Sequence, residues 1–483
     1  MTVTPYRANL FQDQKELYQF LCMGKRQSIE KDCPQIVSIS QEIQPLDPLA
    51  VLQALAKPSH LHFYLEKRSK GEAIAAIDAT AYIKFEGINR FSKAQIFIKS
   101  CLSNTIVNGN SSLPFSGPHF FCSFSFFENH RTSEALFPAA TIFLPRWQIS
   151  LCKNTCTLVA NIEINSQVNL ELLSERLSNQ IKRISWSDRR LYTINETAKN
   201  KFIKQNLKNE EHFKSSVFSA LNFIENHQIN KIVLANAIDV VSPLPFHLIN
   251  SLDNLRSRYP DCYVFSTSNG KGQNFIGASP ERLISIHNRQ LVTDALAGSA
   301  PRGKTATKDA QLAYQLLSSE KEKREHRFVL DFISERLAEL GLIPLMLPTP
   351  QLLQLSNIQH LWTPIQAQLP TDIHPLEIVA KLHPTPAVAG VPTKIAQEQI
   401  LALETFDRSL YAAPLGWVDY QGNCEFIVGI RSALIESEKP SQLLAKSYRA
   451  RLYAGAGIVA GSDPNKELAE IQLKLQALLK ALL

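Results

Sequence analysis

The stretch Tyr453-Ala-Gly-Ala-Gly-Ile-Val-Ala-Gly-Ser462, followed by Asp463 and Pro464, decides between two fold classes for this 483-residue chain. Its glycines resemble a nucleotide-binding loop, which in dinucleotide-binding folds opens a β-α-β unit and precedes an acidic residue by about 20 positions. Here the following residues indicate a single helix, with Ser462 or Asp463 as its cap and Pro464 in its first turn. A second strand is not expected, so the stretch argues against a dinucleotide-binding fold.

The glycines offer a backbone that another group can approach closely. A glycine turn that leads into a helix exposes N–H groups, and the helix dipole favours a negative charge at that end. A substrate carboxylate would fit there. A tight turn between a strand and the last helix, without any ligand, explains the same residues equally well. The stretch alone leaves both interpretations open.

The remaining sequence combines short strand-like runs with a few long helical patterns. In the first 200 residues, the apolar or alternating runs 61–65, 140–144 and 149–151 are typical of antiparallel strands. From about residue 209, strand-like runs are interleaved with helices, and the longest helical pattern extends over about 308–340. This arrangement predicts an α+β fold in which antiparallel sheets pack together and helices lie outside them.

The composition is that of an ordinary globular protein, with 45% hydrophobic and 20% charged residues. The net charge of +7 is scattered without runs of like charge, so binding to nucleic acid is not predicted. The N-terminal stretch lacks the apolar core of a secretory signal, and no segment has the roughly 20 apolar residues that a membrane span needs. The eight cysteines show no zinc-binding spacing. We therefore expect a cytoplasmic protein with free thiols and no membrane contact.

Two pairs of glutamates occupy predicted helices. Glu322 and Glu325 are three residues apart and share a helical face, and Glu467 and Glu470 do the same near the start of the last helix. Carboxylate oxygens suit Mg²⁺, which takes one or two protein carboxylates and completes its octahedron with water and substrate oxygens. Taken alone, each pair is better explained as part of a solvated, charged helix face.

Several segments, in order, resemble the chorismate-binding enzymes, a family that includes isochorismate, salicylate, anthranilate and aminodeoxychorismate synthases. The resemblance implies a single α+β body, with residues 1–205 as a divergent N-terminal half and residues 206–483 as the catalytic region. The matching segments are 231–235 (KIVLA), 275–283 (FIGASPERL), 295–303 (ALAGSAPRG), 321–326 (KEKREH), 382–390 (LHPTPAVAG), 406–411 (FDRSLY), 416–417 (GW), 430–432 (IRS) and the glycine stretch that leads into the last helix.

The resemblance also implies a Mg²⁺ site between two helices. Glu325 and Glu470 would bind the ion directly, and Glu322 and Glu467 would lie behind them or bind through water. The ion would hold the ring carboxylate of chorismate. Without the resemblance, the solvated interpretation of these glutamates would be preferred.

The same comparison assigns the rest of the pocket. Arg431 would bind the enolpyruvyl carboxylate, because a guanidinium fork matches two carboxylate oxygens. His383 is similar to the histidine that lies near the departing ring hydroxyl. The other residues expected to line the pocket are Tyr411, Tyr453, Gly455, Gly457, Ala297, Gly298 and Ser299.

Two positions indicate which nucleophile attacks the ring. Family members that use ammonia typically have glutamine where this chain has Lys231, and those that use water have lysine. Members that form a covalent intermediate carry a lysine where this chain has Ala297. The resemblance therefore implies that water attacks C2 of chorismate to give isochorismate, with Lys231 as the base. Glu281 would be the acid that protonates the departing C4 hydroxyl.

Alternatives remain at this point. Salicylate synthases share the lysine and go on to eliminate pyruvate, so local residues do not separate them from isochorismate synthases. Anthranilate synthase component I and a non-catalytic chorismate-binding homologue are further alternatives. The resemblance favours a role in menaquinone or phylloquinone synthesis. Because water needs no ammonia-supplying subunit, we expect no glutamine amidotransferase partner, and a monomer is the simplest expectation.

The chain departs from the family pattern at a few positions. Asn236 replaces an arginine that usually follows the KIVLA-type segment, Ser319 stands at a position that is often aspartate, and Ser409 and Ala413 replace glycines. None of these departures removes a proposed catalytic group. Asn236 is the one expected to affect substrate positioning or the charge around Lys231.

Overall fold

The computed structural model describes residues 2–3, 14–131, 135–186, 203–205, 208–355, 358–439 and 447–482. Eleven α-helices lie within these residues. They are α1 (Gln14–Lys31), α2 (Pro48–Leu55), α3 (Arg90–Ser103), α4 (Leu170–Trp186), α5 (Lys208–Glu225), α6 (Leu248–Arg258), α7 (Ala306–Ser318), α8 (Glu320–Glu339), α9 (Pro375–Leu382), α10 (Thr393–Leu403) and α11 (Pro464–Leu482).

The same described ranges contain 22 strands joined in one hydrogen-bonded network. They are β1 (Thr2–Val3), β2 (Gln35–Ile43), β3 (His62–Lys67), β4 (Glu72–Phe85), β5 (Thr105–Gly109), β6 (His119–Phe124), β7 (Ala140–Cys152), β8 (Thr155–Ile164), β9 (Ile203–Gln205), β10 (Lys231–Ser242), β11 (Tyr263–Ser268), β12 (Asn274–Ser279), β13 (Arg282–His287), β14 (Gln290–Pro301), β15 (Leu345–Met346), β16 (Gln351–Gln354), β17 (Ile358–Gln368), β18 (Gly390–Val391), β19 (Pro414–Asp419), β20 (Cys424–Val428), β21 (Ser432–Lys439) and β22 (Ser447–Val459).

The network divides into two sheets that share the long antiparallel pair β4–β7. One sheet continues from this pair through β3, β11, β12, β21, β22 and β10. The other continues from β7 through β6, β19, β20, β13, β14 and β17. Almost all pairings are antiparallel; the parallel ones join β5 to β1 and to β2. The α+β fold class predicted from the sequence is confirmed.

Apolar side chains from both sheets belong to one hydrophobic cluster. The aromatic segment in and after β6 contributes strongly, because Phe120, Phe121 and Phe124 are fully buried. Phe121 contacts Phe63 of β3 and Phe143 of β7, with ring centroids 5.3 and 5.7 Å apart. Aromatic pairs at these distances stabilise a core beyond their area burial, so this cluster ties the N-terminal strands together.

Two helices bring the predicted carboxylates to the sheets. Helix α8 packs on β14, and α11 packs on the glycine-rich strand β22. Asp463 caps α11, since its carboxylate accepts hydrogen bonds from the N–H groups of Asn465 and Lys466. The glycine stretch is therefore the end of a strand that leads into a capped helix.

The structure differs from the sequence prediction in two elements. The helical pattern over 308–340 is divided into α7 and α8 at Ser319, whose side chain caps α8 by accepting a hydrogen bond from the N–H of Glu322. The runs 140–144 and 149–151 belong to one strand, β7, although Pro145 lies between them. Proline is tolerated there because the register of β4 and β7 shifts nearby, between Ala79 and Ala81.

The predicted division of the chain at residue 205 stays a prediction. Residues 187–202 and 206–207 lie outside the described residues, as do residues 4–13 of the N-terminal stretch. Strands from both sides of the division pair directly, β3 with β11 and β6 with β19. The two parts therefore share their sheets.

Candidate active site

A cavity of about 130 Å³ lies where α8 and α11 meet the strands β14, β17 and β22. Most of the residues that the sequence marks as site residues line it, although they are up to about 190 positions apart in the chain. Those lining residues are Glu281, Ala297, Gly298, Ser299, Glu325, Tyr411, Arg431, Tyr453, Gly455, Gly457 and Glu470.

The glycine-rich strand β22 allows two charged side chains to approach each other. A Cβ at Gly457 would lie 2.9 Å from Oε1 of Glu325 and 3.3 Å from Cε of Lys231. Only a residue without a side chain leaves that space free. The strand β22 pairs with β10 so that Gly457 is opposite Val233, two residues after Lys231. The glycine at this position therefore leaves room for the contact between the side chains of Lys231 and Glu325.

Lys231 lies at the first position of β10 and is 1% exposed. Its amine donates a hydrogen bond of 2.7 Å to Oε1 of Glu325, which lines the cavity. A buried charge is stable only with a partner of this kind. Lys231 itself stands just behind the cavity wall in this conformation. The structure therefore joins the predicted base directly to a predicted metal ligand.

Glu281 occupies the tight connection between β12 and β13, and its side chain is buried against the cavity. The turn is held by Ser279, whose hydroxyl donates to the carbonyl of Val428, while the N–H of Val428 donates to the carbonyl of Glu281. Burial raises the pKa of the Glu281 carboxyl to about 7; the positive charge of Lys231 opposes this shift and the negative charge of Asp294 supports it. A carboxyl with such a pKa can donate a proton near neutral pH.

The four glutamates on α8 and α11 influence each other electrostatically. Burial raises the pKa of both Glu322 and Glu467, and the negative charges of Glu325 and Glu470 raise it further. Glu470 bonds to Lys474, with 2.7 Å between Oε1 and Nζ. Repulsion among carboxylates held on two packed helices is relieved by a bound cation.

The donor set fits a hard divalent cation such as Mg²⁺, which prefers carboxylate oxygens. In the described residues, no three acidic, histidine or cysteine side chains converge closely enough to hold an ion in the present conformation. Lys231 and Lys474 bond to Glu325 and Glu470. Each lysine bonds one oxygen, Oε1, of its glutamate, so the second oxygen of each carboxylate could still bind an ion.

Arg431 and two tyrosines form another part of the cavity wall. Arg431 follows the sharp backbone turn after β20 with a φ of 50°, and one guanidinium nitrogen lies 3.5 Å from Nε2 of His360. The rings of Tyr411 and Tyr453 stack with centroids 5.2 Å apart and an interplanar angle of 15°. Burial raises the pKa of both phenols, so they stay protonated and can donate hydrogen bonds.

The segment Ala297–Gly298–Ser299 forms an irregularity in β14, where its register with β17 shifts. Gly298 has a φ of 77°, which a residue with a side chain adopts only with strain. As a result, the N–H of Ser299 points at Glu322 and donates to its Oε2 at 3.1 Å. This bond orients one of the predicted outer metal carboxylates.

His383 does not reach this cavity. It lies at the end of α9 in a separate cavity, where its ring contacts Phe126 with centroids 5.6 Å apart. Burial, with the positive charge of Arg90, lowers its pKa to about 3. The structure thus places His383 away from the position that the resemblance implied.

The imidazole in the active-site cavity belongs to His360 of β17, which the sequence analysis missed. Burial and the positive charges of Arg431 and Lys474 lower its pKa to about 3, so the ring is neutral. The alternation of side chains along β17 is a signal that could have identified His360. Gln359 and Leu361 are buried on one face of the strand, so His360 between them points to the other face. Lys474, one turn after Glu470, was missed as well, and it also lines the cavity.

Asn236 lies outside the cavity. Successive side chains of a strand point to opposite faces, so Asn236 is on the face of β10 opposite to Lys231 and Val233. It is 6% exposed and does not line the cavity. The structure gives this departure from the family pattern no direct contact with the site.

A buried ion pair supports the cavity from behind. Arg408 is 1% exposed and donates two hydrogen bonds to Glu404, at 2.9 and 2.6 Å, and others to the carbonyl oxygens of Val388 and Val233. Its guanidinium also lies over the ring of Tyr411. Arg408 of the FDRSLY segment therefore holds three residues of the cavity wall, Val233, Val388 and Tyr411.

The chain was compared with protein families and with known proteins and structures. Residues 22–483 match the family model described as "Chorismate binding enzyme". The isochorismate synthase MenF of Bacillus subtilis is 29% identical over 470 residues, which cover 92% of this chain and 93% of that protein. A salicylate biosynthesis isochorismate synthase of Pseudomonas aeruginosa is 37% identical over 274 residues, but the match spans only about half (54%) of its length.

A solved structure agrees with these sequence matches. The menaquinone-specific isochorismate synthase MenF of Escherichia coli superposes with a TM-score of 0.76 at 25% identity, over 96% of this chain and all of that one. No helix among the described residues is long and apolar enough to cross a membrane. The family model covers nearly the whole chain, and the cavity unites that family's motifs. The chain belongs to the chorismate-binding enzyme family.

Proposed function

We propose that this protein is an isochorismate synthase that adds water to C2 of chorismate and releases the C4 hydroxyl. The observation that carries the proposal is the set of groups around one cavity. A glutamic acid whose pKa burial raises to about 7 and an alanine where a covalent nucleophile would stand line it, and a buried lysine lies just behind its wall. Isochorismate synthases among the similar proteins, MenF above all, support the same conclusion.

The substrate is held by its two carboxylates. Arg431 would bind the enolpyruvyl carboxylate through its guanidinium fork, with the phenols of Tyr411 and Tyr453 as further donors. Mg²⁺ bound by Glu325 and Glu470, with Glu322 and Glu467 behind them, would supply the positive charge that binds the ring carboxylate. His360, as a neutral imidazole beside Arg431, can accept a hydrogen bond from a ring hydroxyl or donate one to it.

Lys231 and Glu281 move the protons. The amine of Lys231, once it has lost its own proton and been released from Glu325, would take a proton from the water that attacks C2. Glu281 would deliver its proton to the C4 hydroxyl, which leaves as water while the ring double bonds shift. One water enters and one leaves, so the reaction is an isomerisation without an external co-reactant. Ala297 leaves that side of the cavity without an amine that could attack C2 instead.

All of these groups belong to one chain. We therefore propose that the protein acts without an ammonia-supplying subunit and that a monomer is sufficient for turnover. The likeness to menaquinone-specific MenF supports a role in supplying isochorismate for menaquinone synthesis.

The test is chromatography of the products after incubation with chorismate and Mg²⁺. Isochorismate without pyruvate is the expected result. Salicylate with pyruvate would reassign the protein as a salicylate synthase, and anthranilate formed only with ammonium would assign it to the ammonia users. Binding of chorismate without any product would support a non-catalytic role.

A further inference from the structure

A second, larger cavity of about 520 Å³ shares part of its wall with the active-site cavity. It lies between α6, one face of α11 and the ends of β14 and β17, and we call it the outer groove. Ser299, Arg431, Glu470 and Lys474 line both spaces. The two spaces therefore meet at side chains that carry the charges of the site.

The outer groove is the accessible side of the site. On α11, Ala469 and Leu473 line it and are exposed, and Leu473 has 68% of its surface in solvent. Tyr411 and Tyr453 line the active-site cavity but not the groove, and each is 3% exposed. A ligand can approach from the groove without displacing the core, whereas the tyrosine side is closed by packed residues.

The charges of the outer groove complement an anion. Lys466, Arg431 and Lys474 contribute three positive charges, and Glu470 contributes one negative charge. The surface between them is apolar and includes Leu255 and Tyr259 of the α6 region. An apolar ring that carries two carboxylates matches both features, and cations that line a cleft raise the rate at which such a ligand associates.

We propose that the outer groove is the entrance to the active site and binds the dicarboxylate substrate in an outer position before the substrate reaches the cavity. The identity of that substrate as chorismate rests on the proposed function. In the outer position, the substrate carboxylates face Lys466 and Lys474, and Arg431 and Lys474 remain in contact with the substrate as it moves inward. The groove therefore governs association and release.

A steric test uses Ala469→Trp, which fills the groove from an exposed position on α11. Gln476→Trp is the matched control, because Gln476 is also exposed on α11 and does not line the groove. We expect kcat/KM for chorismate to fall about tenfold in Ala469→Trp and to stay unchanged in the control. Equal kcat/KM values in both variants, with unaltered thermal unfolding, would overturn the proposal.

A charge test uses Lys466→Glu, with Lys480→Glu as the control on the same helix. Both lysines are exposed, and only Lys466 lines the groove. We expect kcat/KM to fall about tenfold in Lys466→Glu at low ionic strength, and the loss to shrink as salt screens the charges. A loss that does not depend on salt, or an equal loss in the control, would contradict an electrostatic role of the groove.

The groove can be tested separately from the reaction. Isophthalate, an unreactive ring with two carboxylates, serves as a probe whose association is followed by stopped-flow tryptophan fluorescence of the Mg²⁺-loaded protein. Slower association in Ala469→Trp and Lys466→Glu than in their controls supports the entrance even if chorismate is not converted. Normal chorismate turnover in the wild type, with identical association rates in all variants, would reject the entrance and leave the proposed function intact.

Discussion

The two halves of the chain contribute differently to the site. Every residue proposed to bind metal, bind substrate or move a proton lies between Lys231 and Lys474. The N-terminal half supplies β3 and β6, which pair with β11 and β19, and the aromatic cluster around Phe121. Its strands complete the sheets from which the catalytic turns project, and none of its residues that the structure describes lines the active-site cavity.

The second half of the chain therefore supplies the proposed catalytic groups, and the first half supports the sheets that hold them. A buried charged residue in the second half should control turnover, whereas a buried residue in the first half should control stability. The following substitutions test it, from the largest expected effect on turnover to the smallest.

Lys231→Ala should have the largest effect on turnover. Loss of a general base lowers kcat by about 10²–10⁴-fold, while binding of chorismate should persist because Lys231 is not a proposed substrate ligand. Lys67→Ala is the matched control from the N-terminal half, since Lys67 is partly buried over the ring of Tyr263. Steady-state kinetics and isothermal calorimetry measure both quantities. Wild-type kcat in Lys231→Ala would remove the lysine from the mechanism.

Glu470→Ala should weaken the metal dependence. Removal of a direct carboxylate ligand is expected to raise the Mg²⁺ concentration for half-maximal activity by at least about tenfold. Removal of a group that only supports a metal ligand already weakens metal binding by about tenfold or more. Glu339→Ala is a suitable control, because Glu339 is a glutamate on α8 that pairs with Lys381 away from the cavity. An unchanged Mg²⁺ titration in Glu470→Ala would exclude this glutamate as a ligand.

Glu281→Gln should change how stability depends on pH. Burial raises the pKa of Glu281 from 4.5 to about 7 in the folded protein, so the folded state retains a proton that the unfolded state loses over this range. The contribution of this carboxyl to stability is greatest below pH 4.5 and is lost as the pH rises to about 7.

Denaturant unfolding in Mg²⁺-free buffer measures this effect. Relative to wild type, Glu281→Gln should gain stability with rising pH, with a total change of about 3 kcal/mol between pH 4.5 and pH 7. A difference between the two proteins that is constant with pH would show that the pKa of Glu281 is not raised. At neutral pH the variant should also lose turnover, because the amide cannot donate the proton.

Phe121→Ala should have the smallest effect on turnover. Removing this fully buried ring leaves a cavity in the N-terminal core and should cost about 3–5 kcal/mol in the free energy of unfolding. At a temperature where the variant is folded, its kcat and KM should match the wild type. A large change in KM with little change in stability would contradict the division between the two halves.

Much of the fold follows from sequence patterns. The alternating and apolar runs around Leu65, Ile142 and Ile149 lie in strands, and the glycine stretch forms the end of a strand that leads into a capped helix. The sequence predicted one helical pattern over about 308–340, and the break at Ser319 was missed. Only the cap formed by this serine separates α7 from α8. The continuity of β7 through Pro145 depends on its pairing with β4, which local sequence does not encode.

The motifs predicted residues that the structure brings together around one cavity, and the roles of these residues stay predictions. Lys231, Glu281 and Glu325 meet in space although they are distant in the chain. The resemblance assigned the histidine to His383, within the segment 382–390. The histidine that lines the cavity is His360, on a strand whose inward face is set by its register with β14. The contacts of Lys231 with Glu325 and of Lys474 with Glu470 required the packing of two helices on the sheet.

The most direct test of the account is the origin of the new hydroxyl group. The protein is incubated with chorismate and Mg²⁺ in water enriched in ¹⁸O, and the isochorismate formed is examined by mass spectrometry. The account predicts one ¹⁸O atom at C2 and none of the original C4 oxygen in the product. Isochorismate without label would show that the hydroxyl migrates within the molecule, and would contradict water attack assisted by Lys231 and Glu281.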